Sequence, residues 1–264
     1  MSRLKRTNRY DTNDKWKRSL RLSGRSKRFT RQCYQLPMYG GIYPLRMTFI
    51  YILGSGSIYD DIEIRYSIRS VLKHHPDADI KIVGETPSWH TGEGIVYVAD
   101  DEFPAISKWK KMEMACQLAD EFIQMDDDFF LLKPYKPMFY SLDYTMKQKA
   151  FMRGRGQTWY SKMVWATGDL FPKEPCYLLH TPLPVISKNF LSMAQLYPQR
   201  YEKPSLSPRQ AYCVYEKAFE CEVQQDVKGY NPLNDTLWSA TPKLRDLSQF
   251  NKMYPEPSRY EKQV

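Results

Sequence analysis

The chain is poor in the residues that covalent catalysis, secretion and membrane insertion require. Its five cysteines, Cys33, Cys116, Cys176, Cys213 and Cys221, are odd in number and scattered, and none forms a C-x-x-C pair. That pattern suggests neither a disulfide framework nor a zinc knuckle, and reduced thiols in a cytoplasm are expected. Long apolar runs are also missing. Stretches such as "MTFIYIL" (47–53) are far too short to cross a bilayer, and no apolar core follows the basic N-terminus as a secretion signal would need. A soluble, cytoplasmic protein with no transmembrane segment is the expectation. Only four histidines occur, His74, His75, His90 and His180, and no Ser-His-Asp or Cys-His arrangement stands out. Hydrolysis through a covalent nucleophile therefore has no support.

Acid is scarce in one region. Residues 1–31 hold twelve of the 39 Lys/Arg but only Asp11 and Asp14 of the 30 acids, which leaves 27 cations against 28 acids in the rest. The net charge of +9 thus belongs to an arm over 1–45, not to the body. With few apolar residues, the arm cannot offset its ordering entropy by burial. It reads either as a solvated tail or as a binder of polyanions, nucleic acid or an acidic membrane surface.

What is present is a core-forming body: 42% of residues are apolar and 14% aromatic. "MTFIYIL" is a β-branched and aromatic run that ends at "GSGS" (54–57), and "DIEIRYSIRSVLKHH" (61–75) then spaces Ile64, Ile68, Val71 and Leu72 at helical intervals. Strands follow at 77–85 and 94–100, a helix at 107–120, a strand at "EFIQM" (121–125) and a helix at 187–198. Alternation of this kind predicts an α/β fold: a mostly parallel, Rossmann-like sheet flanked by helices, in a single catalytic domain over 46–230. Residues 231–264 read as an irregular segment that packs on or trails the domain.

The chemistry concentrates at "EFIQMDDDFFLLKP" (121–134), where Asp126, Asp127 and Asp128 follow a buried strand. Three adjacent anions repel, so a bound cation or a cluster of Lys/Arg is expected among them. In parallel sheets, ligands bind beyond the carboxyl ends of strands, which is where these acids fall. Oxygen ligands alone suit Mg²⁺ or Mn²⁺, and such an ion accepts phosphate oxygens, so a diphosphate is the natural partner. The "GSGS" turn, including Ser55, stands where a nucleotide-cradling loop would, but lacks the G-x-G-x-x-G spacing.

"YDDIEIRYSIRSVLKHHPDADIKIV" with "DEFIQMDDDFFLLKP" resembles the paired regions of Stealth-type sugar-phosphate transferases, and the acids also resemble the D-x-D of GT-A nucleotide-sugar glycosyltransferases. The likeness covers residues 47–134 and continues faintly in "HTPLPVISK" (180–188). It implies donor and metal binding by Asp126, metal ligation by Asp128, and a catalytic position for Asp127 between them. His180 is similar to a metal-binding histidine of glycogenin-like transferases, or else is a core histidine. Lys188, at a helix start, would hold phosphate, or else is a solvated lysine. Arg65 is the donor-binding candidate of the first helix, whereas Arg69 reads as a surface charge paired with Asp61 and Glu63. Lys108, Lys111 and Glu113 resemble a donor-binding helix, from which Lys111 is taken as the donor contact.

"RGRGQTWYSKMVWATGDLF" (153–171) reads as an acceptor loop in which Trp159, Tyr160 and Trp165 either stack on a sugar or base or pack in the core. Asp169 is a candidate general base or a helix cap. Arg209 in "SPRQAY" resembles a Stealth arginine that would neutralise leaving phosphate, or caps a fold contact. The expectation is a metal-dependent glycosyltransferase that moves a sugar from a nucleoside-diphosphate sugar to a hydroxyl acceptor, modified DNA or a glycan. The alternatives are a Stealth-type sugar-1-phosphate transferase and a non-catalytic nucleic-acid-binding protein.

Overall fold

Alternate residues of the first strand face opposite layers, and this sets the architecture. The computed structural model describes residues 46–54, 61–216, 222–223, 237–239 and 248–262. Strand β1 (Thr48–Ile52) sends Phe49 and Tyr51 to helix α1 (Ile62–His74), where Ile64, Ile68 and Val71 meet them. Ile50 and Ile52 go to the other face, against Trp109 and Met112 of α2 (Pro104–Ala115). Each such side chain contributes roughly 1.5–3 kcal/mol by leaving water. Both faces of the sheet are therefore covered, as the uninterrupted apolar strands require.

The remaining strands are β2 (Asp79–Val83), β3 (Ile95–Val96), β4 (Glu121–Met125) and, later, β7 (Leu183–Ile186). The sheet order is β3-β2-β1-β4-β7, parallel except for β7, which runs antiparallel to β4 with Gln124 opposite Leu183 and Glu121 opposite Ile186. Strand β3 is shorter than the run at 94–100 predicts. Gly84 closes β2 with φ +144°, and a Cβ there would stand 2.1 Å from the Leu53 carbonyl oxygen, so only glycine allows the ends of β1 and β2 to lie this close.

Beyond β4 come β5 (Phe129–Leu131), β6 (Tyr140–Ser141) and two helices, α3 (Met146–Arg153) and α4 (Trp159–Leu170). The acceptor loop expected over 153–171 is thus largely helix. Thr158 caps α4 by accepting from the Ser161 amide, and Met163, Val164, Thr167 and Gly168 bury one stripe. A Cβ on Gly168 would come within 3.0 Å of the Ala150 methyl, so glycine allows α3 and α4 to pack closely. Helix α5 (Ser187–Gln195), a 3₁₀ turn (Pro198–Tyr201) and α6 (Pro208–Tyr215) follow β7.

The described parts of the C-terminal segment hold one short strand and one short helix. After β8 (Glu222–Val223), β9 (Leu237–Ser239) pairs antiparallel with β5, and α7 (Ser248–Met253) follows. Phe250 lies against Phe130 with ring centroids 4.5 Å apart, and Tyr254 Oη donates to the Leu131 carbonyl. The last described residues run along 88–91: the Thr91 amide donates to Tyr260 O and the Lys262 amide to Trp89 O. Among the described residues, no helix is long and apolar enough to cross a membrane. The basic arm, Ser55 and the rest of "GSGS" after Gly54 lie outside the described residues.

Candidate active site

Strand order locates the site before any side chain is considered. From β1 the chain builds outward through β2 to β3, then returns to place β4 on the other side of β1. A crevice opens at such a switch point, outside the carboxyl ends of the two central strands. Asp126, Asp127 and Asp128 form the turn that leaves β4 there, with β5 beginning at Phe129. The segment "RYSIRS" holds this turn in place. Ser67 Oγ donates to the Phe129 carbonyl and also pairs with Tyr51 Oη at 2.8 Å, while the Leu131 amide donates to Ser70 Oγ at 2.9 Å. Serines three apart on one face of α1 thus bind the backbone just after the acids.

Asp126 already has a cation beside it. Lys108 Nζ donates to its two oxygens at 2.9 and 3.2 Å, and Gln124 Nε2 adds a bond at 2.8 Å. Burial favours the protonated acid, but Lys108, helped by Arg209 and His180, outweighs it and holds the carboxyl below its ordinary value. Lys108→Met should therefore raise the Asp126 pKa and move the acid limb of the pH–rate profile to higher pH. A profile superimposable on that of wild type would show that the ammonium does not govern this carboxylate.

Asp127 shows the opposite balance. Burial, then repulsion from Asp126, Glu63 and Asp61, pushes its carboxyl up to about 6. Glu63 stands one turn before Ser67 on the same face of α1 and is itself buried. The cluster thus sets several carboxylates side by side, an oxygen-rich arrangement of the kind that a hard dication takes. Among the described residues no three His, Cys, Asp or Glu side chains are grouped to hold a metal ion, so Asp126, Asp128 and His180 do not form a closed cage. Mg²⁺-type ions are commonly held by one or two carboxylates with phosphate oxygens and water completing the shell, and the turn fits that mode.

His180 reaches the cluster from the loop before β7. Because β7 is antiparallel, its amino end adjoins the carboxyl end of β4, and the His180 ring packs edge-on to Phe129 at 6.5 Å. Arg209 shapes this loop: Nε donates to Tyr177 O (2.7 Å), and the two terminal nitrogens to Thr181 O and Oγ1 (both 2.6 Å). Buried in this way, Arg209 supplies positive potential to Asp126 while anchoring the chain on both sides of His180. His75 and His90 are engaged elsewhere, His75 Nε2 accepting from the Tyr135 amide and His90 Nδ1 from the Gly92 amide. His180→Ala should raise the Mn²⁺ concentration needed for half-maximal activity before it lowers the melting temperature. An unchanged metal titration with a large loss of stability would make it a core histidine.

Other candidates fall away from this cluster. Arg65 lies about 200° around α1 from Glu63. Its Nε donates to Glu261 at 2.5 Å, and its guanidinium lies 5.8 Å from the centroid of the Trp89 ring. Arg69, expected at the surface with Asp61 and Glu63, is instead buried on Glu261, because the C-terminal segment covers that face of α1. Lys111 is buried between the Leu53 carbonyl (2.6 Å) and the Asp100 carboxylate, tying α2 to the end of β1. Lys188 begins α5 beyond Ile186, opposite the amino end of β4, so the length of that strand, roughly 15 Å, separates it from the acids. Asp169 is exposed in the last turn of α4.

Lys108 enters the site from the helix read as donor-binding, whereas the spacing does not single out Gln124 or Glu63. A usable signal existed for the lysine. Lys108 and Lys111 are three apart on α2 and flank the buried Trp109 and Met112, so both point to the crevice end of the sheet.

No family model matches the chain, and no curated protein does. Among solved structures, the apo-form glycosyltransferase GlyE of Streptococcus pneumoniae TIGR4 is similar at 9% identity and a TM-score of 0.35, over 68% of this chain and 45% of that one. The chain thus spans less than half of that protein, and a likeness this weak carries no weight for activity. The fold is an α/β domain with a mostly parallel five-stranded sheet flanked by helices.

Proposed function

We propose that the protein is a metal-dependent glycosyltransferase that moves a sugar from a nucleoside-diphosphate sugar to a hydroxyl acceptor. The observation that supports this most is the triple carboxylate turn at the switch point of the sheet, with Lys108 on Asp126 and His180 alongside. Mg²⁺ or Mn²⁺, held by Asp126 and Asp128 with His180 near, would neutralise charge developing on the departing diphosphate. Lys108 orients Asp126 and keeps it ionised. Asp127, whose carboxyl is pushed up to about 6 by burial and then by Asp126, Glu63 and Asp61, would line the site between the two metal-binding acids. Arg209 keeps the His180 loop in register. The basic arm suits delivery to a polyanionic acceptor such as hydroxyl-bearing modified DNA.

The products discriminate among the readings. Incubation with a panel of nucleotide sugars and Mn²⁺, read by mass, should release nucleoside diphosphate. Release of nucleoside monophosphate would instead indicate sugar-1-phosphate transfer, and release of neither would indicate a binding protein.

A further inference from the structure

The hairpin of α3 and α4 presents a surface unlike the rest of the body. From Tyr144 to Gly168 the chain carries five cations, Lys147, Lys149, Arg153, Arg155 and Lys162, and no acid. Phe151 is 63% exposed, Met152 64% and Trp159 42%. Cations and rings alternate: the Arg153 guanidinium lies 5.0 Å from the Tyr160 ring centroid and that of Arg155 4.8 Å from the Trp165 centroid. Gly154, at φ +71°, ends α3 and turns the two arginines outward, where both are exposed. The Trp165 indole N–H locks this turn by donating to the Gly154 carbonyl at 2.7 Å.

We infer that this hairpin binds single-stranded nucleic acid, with phosphates on the arginines and unpaired bases on the exposed rings. Aromatic faces interleaved with cations are the arrangement that stacks bases while tracking a backbone, and it needs no base-edge reader. A lipid surface fits less well. The cations and rings are interleaved rather than segregated to opposite faces as an interfacial helix requires. A chain of contacts leads from this surface toward the acid cluster: Trp159 packs edge-on against Phe103 at 6.4 Å, and Phe103 stands at the N-cap position of α2, five residues before Lys108, roughly 7 Å along the helix. As the acceptor side of a transferase the hairpin rests on the proposed function; as a binding surface it stands alone.

The test is an anisotropy titration of the full chain with labelled oligothymidylate between about 50 and 200 mM salt. Arg153→Gln with Arg155→Gln should reduce the slope of log affinity against log salt by about 1.4, at roughly 0.7 per single-strand phosphate. Trp159→Ala should weaken binding roughly 5- to 150-fold with the slope unchanged, the signature of a lost stack. Phe151→Ala, at a more exposed position, repeats the stacking test should Trp159→Ala melt early. Slopes and affinities equal to wild type in folded variants would overturn the inference, as would loss of binding to anionic phosphatidylserine vesicles in place of oligonucleotide. Calorimetry of the wild type with nucleotide sugars is separate: no donor binding would defeat the transferase reading and leave the hairpin result untouched.

Discussion

Replacing Asp128 by asparagine is expected to lower donor turnover by roughly 10²–10³-fold with little change in melting temperature, measured by nucleoside-diphosphate release and thermal unfolding. Asparagine preserves the shape of the turn, and Asp128 is only partly buried, so the fold loses little. What disappears is an anionic oxygen for the dication that would stabilise the leaving diphosphate. Excess EDTA should reproduce the loss in wild type. Full activity in EDTA would remove the metal from the mechanism and leave Lys108 as the cation of the site.

The largest stability effect is expected at Glu261. Its carboxylate, 1% exposed, takes a forked pair from Arg69 (2.7 and 2.6 Å), a bond from Arg65 (2.5 Å) and the Ser258 amide (2.8 Å). Burial works against ionisation, but Arg69, the Ser258 amide and Arg65 hold the carboxyl at about 2, below its ordinary 4.5. A depressed folded-state pKa gives stability that is complete above the unfolded value and is lost as pH falls through the folded one. The contribution is therefore full above about pH 4.5 and fades toward pH 2. Its size is on the order of 3 kcal/mol, and breaking a buried pair from one side costs a similar amount, about 3–5 kcal/mol. Glu261→Gln should lower Tm at neutral pH by roughly 6–12 °C and flatten the loss of stability between pH 4.5 and 2. Equal stability of the two proteins at pH 7 would show that the C-terminal segment is not fastened through this carboxylate.

Much of the sheet was legible because its strands are short apolar runs between turns, and the helices of the first half carry clear periodicity. The acid turn was legible for the same reason: carboxylates immediately after a buried strand fall at its carboxyl end. What could not be read came from the direction of β7. Nothing in "HTPLPVISK" distinguishes a parallel from an antiparallel strand, yet that choice brings His180 to the acids and carries Lys188 to the far end of the sheet. Arg65 and Arg69 were ambiguous because their partner, Glu261, stands nearly two hundred residues away in sequence. The 153–171 stretch looked like a loop because Gly154 and Gly156 open it, whereas the helix is specified later, by the Thr158 cap and the close approach of Gly168 to α3.

The most direct measurement is a crystal structure with a nucleoside diphosphate and Mn²⁺, located by the anomalous signal of the metal. The expected result is a metal peak about 2.1 Å from a carboxylate oxygen of Asp126 or Asp128, with the diphosphate in the crevice between β1 and β4. A diphosphate bound elsewhere, or bound in that crevice on Lys108 with no metal at the acids, would contradict it.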